Sequence, residues 1–141
     1  MNLSDNPLIA AMQVAKMAHK GQTRTGGGDY YWDHVAVVAK RTQARWGIDL
    51  AVVAHLHDVL EDSDLTAGQL HDHFHPHVVD AVVAITKLDG EPYDTYLRRV
   101  GENDWARKVK IEDIEHNLET AEGKHRIAKY RVALLYLRSI K

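Results

Sequence analysis

Asp49-Leu50-Ala51-Val52-Val53-Ala54-His55-Leu56-His57-Asp58-Val59-Leu60-Glu61-Asp62-Ser63-Asp64 is the stretch on which the reading of this chain turns. Over 49–60 it is apolar nearly all round, which predicts a buried helix rather than a surface one with a single apolar stripe. Its C-terminal end then crowds four carboxylates, Asp58, Glu61, Asp62 and Asp64, into seven residues. Repulsion and desolvation both oppose ionisation of such a group. A bound divalent cation with a basic substrate pocket beside it is the simplest agent that reverses the local electrostatics. Glu61 lies four residues past His57 and Asp62 four past Asp58, so on one helix the two pairs are expected to stack on adjacent stripes. Asp113 and Asn117 repeat that spacing further along, with Lys110 three residues before Asp113.

Outward from this stretch, apolar residues recur at helical spacing almost everywhere, and the fold class read from them is all-α. Asn6 caps a first helix with Pro7 at its first position and with Ile9, Met12, Ala15, Met17 and Ala18 near one face. The glycine loop 26–28 and Asp29 follow, then a helix over 33–46 that Gly47 stops. Further helices are expected over 66–74, 76–87, 93–100, 105–117 and 124–140. In the last, Ile127, Tyr130, Leu134, Leu135 and Leu137 form the inner side. The β-branched run at 78–86 suits a strand, but its length and the lack of a partner strand favour helix.

The chain has 141 residues, which suits one domain spanning 1–141. With 18 basic and 20 acidic residues its net charge is −2, which disfavours a domain devoted to binding nucleic-acid polymers. No apolar run approaches the roughly 18 residues of a membrane span, and residues 1–7 lack the pattern of an export signal. The expectation is therefore a soluble, cytoplasmic chain. The absence of cysteine excludes disulfides, zinc-finger thiolates and a thiol nucleophile, so any metal must rest on nitrogen and oxygen. Ten histidines raise the prospect of such a site.

Five blocks then appear in order: Ala18-His19-Lys20-Gly21-Gln22-Thr23-Arg24, Tyr31-Trp32-Asp33-His34, Leu56-His57-Asp58-Val59-Leu60-Glu61-Asp62, Ile85-Thr86-Lys87, and Val109-Lys110-Ile111-Glu112-Asp113-Ile114-Glu115-His116-Asn117. Together they resemble the signature of the HD-domain alarmone hydrolases, the RelA/SpoT-type (p)ppGpp 3′-pyrophosphohydrolases, and most nearly their small hydrolase-only relatives. The resemblance implies an all-helical HD fold holding one Mn(II) on His34, His57, Asp58 and Asp113. Two imidazoles and two carboxylates suit Mn(II) and also admit Zn(II) or Fe(II). By the same resemblance Glu61 and Asp62 work on the attacking water, Lys20 and Arg24 contact phosphate or base, and Asn117 orients a ligand or the nucleotide. A small nucleotide is the implied partner, with no nucleic-acid polymer and no membrane. The oligomeric state stays open, a homodimer included. A hydrolase without synthetase or regulatory domains is the expectation from this length.

The alternatives are an HD phosphohydrolase for another nucleotide, such as an adenosine alarmone, and a nucleotide-binding module without turnover. The chain departs from the family pattern at Thr25, at Val35 after His34, at Glu119, and in a loop that lacks proline before the tyrosine. Outside the blocks, the histidine run 71–77 is assigned to surface and helix ends, His19 to bracing the first loop, and His55 to packing. Trp32, Trp46 and Trp105 are expected as core or interface anchors. Lys129-Tyr130 is read as part of the last helix, with a place at the pocket rim as the alternative.

Overall fold

Helices account for every regular element of the computed structural model, which describes residues 1–141. They are α1 (Pro7–Ala18), a π-helical turn (Tyr31–Val35) that runs into α2 (Ala36–Trp46), α3 (Ile48–Leu56), α4 (Val59–Asp62), α5 (Ala67–His71), α6 (Pro76–Ile85), α7 (Tyr93–Gly101), α8 (Asp104–Thr120) and α9 (Lys124–Ser139). The β-branched segment is helical, as expected. A lone antiparallel bridge between Thr23 and Asp29 closes the glycine loop.

The ends follow from local chemistry. The Asn6 side chain accepts from the amides of Leu8 and Ile9, and Thr66 with Gln69 forms a capping box at α5. His75 Nδ1 accepts from the His77 amide at the start of α6, so the histidine run does serve a helix end, and its four imidazoles are exposed.

α3 is the axis. Every residue from Leu50 to Leu56 is buried, with α1, α2, α6 and α8 packed around it. α9 lies on α7 and α8 and inserts Ala133, Leu134 and Leu137.

Four expectations are corrected. The helix expected over 49–60 breaks: α3 ends at Leu56 and α4 begins at Val59, with Asp58 at φ −107° and ψ 1° between them. The four-residue spacing across the break therefore does not form two stripes of one helix. In α1 the buried face is Ala10, Ala11, Val14 and Ala15, while Ile9 and Met17 are about half exposed, because alanines let the helix backbone close onto α3. In α9 Leu135 is 73% exposed rather than inward. Trp32 and Trp46 are exposed too, covered by Lys16 and Lys108, whose ammonium groups each lie 4.7 Å from an indole ring.

The π turn is set by the loop before it. Asp33 Oδ2 accepts from the Asp29 amide at 2.8 Å, and Asp29 Oδ2 accepts from the Trp32 amide at 2.8 Å. Gly28, just before Asp29, has φ +91°, and a Cβ there would fall 2.4 Å from Asp33 Oδ2. No helix is long and apolar enough to cross a membrane.

Candidate metal centre and adjoining cavity

The break after α3, the π turn and the middle of α8 meet at one point. His57, at the end of α3, is 2% exposed, His34 in the π turn 1%, and Asp113 on α8 4%. Their ligating atoms all lie within 4.8 Å of one another. Asp113 Oδ1 is 2.8 Å from His34 Nε2 and 3.3 Å from His57 Nε2. Asp58 stands beside this trio rather than within it: its Oδ2 is 3.0 Å from His57 Nε2, 3.9 Å from His34 Nε2, and accepts the Tyr30 hydroxyl at 2.5 Å.

The remaining valences are tied down. His57 Nδ1 donates to the Ala54 carbonyl at 2.6 Å, which aims Nε2 at the carboxylates. His34 Nδ1 lies 2.9 Å from His116 Nδ1, with the two rings stacked. Asp113 Oδ2 accepts from Lys110 Nζ at 2.9 Å, and Asn117 Nδ2 donates to Asp113 Oδ1 at 3.4 Å. Metal-binding histidines are ordinarily fixed this way by a partner on the far ring nitrogen.

The electrostatics of the group are set by its buried carboxylates. Burial alone would lower the His57 pKa, but Asp58 and Asp113 raise it well above the usual imidazole value. Burial works the other way on Asp58, raising it, yet His57 draws it down to about 2. Asp113 is likewise held well below the carboxylate range, against its own burial, by Lys110 and His57. A proton on His57 would balance these carboxylates. Its Nε2 is nevertheless buried without a hydrogen bond of acceptable geometry. A buried, unpartnered imidazole nitrogen facing two carboxylates and a second imidazole fits a divalent cation with nitrogen and oxygen ligands.

Glu61 and Asp62 follow on α4. Burial, then Asp58 and Asp62, push the Glu61 carboxyl up. Burial also raises Asp62, opposed by the Gln22 amide, which donates to Asp62 Oδ2 at 3.1 Å. Beside the centre lies a cavity of about 580 Å³ whose wall includes Gln22, Arg24, Tyr30, Asn117, Arg126 and Tyr130. Arg24 Nη2 donates to Asn117 Oδ1 at 3.0 Å, and Tyr30 and Asn117 join the cavity to the centre through Asp58 and Asp113.

His34, His57, Asp58 and Asp113 are therefore brought together, and Arg24 and Asn117 meet in the adjoining wall. Lys20 is exposed and outside that wall. Glu119 is ion-paired with Arg41. His19 braces the loop as expected, its Nδ1 2.8 Å from Gln22 Oε1. The sequence reading gave no role to Tyr30, Gln22 or His116. His116 alone carried a signal, three residues from Asp113 and so on the same face of α8.

No family model matches the chain. A guanosine-3′,5′-bis(diphosphate) 3′-pyrophosphohydrolase of Vibrio cholerae is 41% identical over 87 residues, covering 59% of this chain and 12% of that protein. The enzyme of the same description from Haemophilus influenzae is 31% identical over 134 aligned residues, covering 82% of this chain and 20% of that protein. The bifunctional (p)ppGpp synthase/hydrolase SpoT of Escherichia coli is 30% identical over 126, covering 80% and 18%. The chain thus spans between about an eighth and a fifth of the length of these relatives. A solved structure of a metazoan ortholog of SpoT, described as hydrolysing ppGpp and playing a role in starvation responses, superposes with a TM-score of 0.76 at 23% identity, over 100% of this chain and 90% of that one.

Fold and centre define the class, an all-helical HD fold built around a histidine–aspartate group able to hold a metal ion. Within that class the chain belongs to the SpoT-type (p)ppGpp hydrolase family.

Proposed function

We propose that this chain is a manganese-dependent hydrolase that removes pyrophosphate from the 3′ position of guanosine alarmones such as (p)ppGpp. The carrying observation is the convergence of His34, His57 and Asp113, flanked by Asp58, beside an acidic pair and a cavity walled by Arg24, Asn117 and Arg126. The relatives' names supply the substrate class, and a cytoplasmic site of action follows from that substrate.

His34, His57, Asp58 and Asp113 would hold the ion. A divalent cation there supplies Lewis acidity, lowering the pKa of water and drawing charge from phosphoryl oxygens. Glu61 and Asp62 take the proton of the attacking water; their raised pKa values bring them nearer the range useful to a base at neutral pH. Water attacks the phosphorus bonded to the ribose 3′-oxygen, that P–O bond breaks, and the proton passes to the departing oxygen. Free pyrophosphate and a nucleotide with a 3′-hydroxyl result. Arg24 meets phosphate with paired donors while Asn117 keeps its guanidinium in place.

The test is a substrate panel run with Mn(II), Zn(II) and Fe(II): guanosine and adenosine nucleotides with a 3′-diphosphate, and simple mononucleotides. Pyrophosphate release from the guanosine compound, greatest with Mn(II), is expected. No pyrophosphate from any 3′-diphosphorylated nucleotide ends the proposal. Glu61→Gln should lower kcat by roughly 10²–10⁴-fold with bound metal retained. His57→Ala should lose both metal and activity.

A further inference from the structure

Gln22 lies in the first loop, outside the ligand set and outside the acidic pair, yet its amide is gripped at both ends. Oε1 is 2.8 Å from His19 Nδ1, and Nε2 donates to Asp62 Oδ2 at 3.1 Å. Its backbone is pinned as well, the amide donating to the His19 carbonyl at 2.9 Å and the carbonyl accepting from the Tyr30 amide at 3.0 Å. His19 is itself immobilised: 1% exposed, with its ring 5.0 Å from that of Tyr30, the residue whose hydroxyl holds Asp58.

This arrangement has a direction. A glutamine amide carries an acceptor on one atom and donors on the other. With His19 Nδ1–H donating to Oε1, only the donor end faces Asp62. Leucine has similar reach and no donor, while glutamate would set a carboxylate against a carboxylate. The hydrogen bond engages one oxygen of Asp62 and fixes the plane of the group, which arrives on α4, a helix of a single turn.

We infer that Gln22, oriented by the buried His19, is a positioning residue that holds the Asp62 carboxylate in the attitude from which it works on the attacking water. This rests on the role given to Asp62 in the proposed function. Gln22 also lines the cavity, and a direct grip on the nucleotide would have a different signature: it would raise KM, whereas misplacing Asp62 lowers kcat. The charged and titratable groups acting on Asp62 are Asp58, Glu61, His19, His57 and Tyr30, contributed by the first loop, the π-turn entry, the end of α3 and α4.

The experiment uses the full chain and two readouts. The first is the NMR titration of the Asp62 side-chain carboxyl in wild type, Gln22→Leu, Gln22→Glu and His19→Leu, which needs no activity. Gln22→Leu should move the Asp62 midpoint upward, Gln22→Glu further, and His19→Leu in the same direction by less. The second is steady-state hydrolysis of the 3′-diphosphorylated guanosine nucleotide with Mn(II). Gln22→Leu should lose about 10–100-fold in kcat, with KM changing by less than about threefold. An unmoved Asp62 midpoint in Gln22→Leu, or an intact kcat with a raised KM, overturns the assignment. If wild type itself shows no turnover, the proposed function falls, and the titration still judges the contact between Gln22 and Asp62.

Discussion

On the side of His34 turned from the carboxylates, His116 is the only hydrogen-bonding partner. The two Nδ1 atoms lie 2.9 Å apart, so exactly one of them carries the shared hydrogen. Burial, then His34 and Arg24, bring the His116 pKa down to about 4, which keeps that ring neutral at physiological pH. A neutral imidazole donates from one nitrogen and accepts on the other. When His34 Nε2 gives its lone pair to a cation, Nδ1 must hold the hydrogen, and His116 accepts it by carrying its own proton on Nε2. Removing the acceptor leaves the His34 ring free to turn. His116→Ala should therefore weaken Mn(II) binding by about 10–100-fold. Competition against a chelator of known affinity measures this, and unchanged binding would mean that the contact is packing alone.

Among the elements, the joint between α2 and α3 governs how the π turn is presented to the end of α3. Gly47 makes that joint with φ +100° and ψ −179°, a region that residues with a Cβ avoid. Gly47→Ala, in open space, should cost about 1–3 kcal/mol of strain, read as a lower denaturation midpoint at unchanged slope. This joint was legible, because glycine after an apolar-periodic run marks a helix end. So were the cap at Asn6 and the buried character of α3. The break at His57-Asp58 was not, since no glycine or proline announces it. It arises where His57 Nδ1 bonds the Ala54 carbonyl and Tyr30 holds Asp58, contacts 28 residues apart in the latter case, which spacing rules do not contain. The same limit hid Gln22, whose partner Asp62 lies 40 residues away. The convergence of His34, His57, Asp58 and Asp113 was legible through the family pattern, whereas Glu61 and Asp62, expected to stack on the helix of His57, lie beyond its end.

For the molecule as a whole, the proposed centre would couple folding, protonation and metal. In the metal-free chain the folded-state pKa of His57 is raised, so its contribution to stability is fully present below the unfolded value of about 6.5 and is lost as pH rises through the folded value. Asp58 has the opposite sign: drawn down to about 2, it stabilises above the ordinary carboxylate range and loses that contribution as pH falls toward 2. A cation on His57 requires the deprotonated ring and takes over the proton's role, so binding releases protons and tightens as pH rises. The melting temperature with Mn(II) minus that in chelator should consequently widen between pH 6 and pH 8, when free Mn(II) is held constant. At about a hundredfold excess over Kd, binding contributes about 2.7 kcal/mol, or roughly 5–10 °C for a domain of this size. Thermal melts at fixed ionic strength give the comparison. A gap that stays level or narrows over that span would mean that the ion does not displace a proton from His57, and with it the assignment of that imidazole as a ligand would fail.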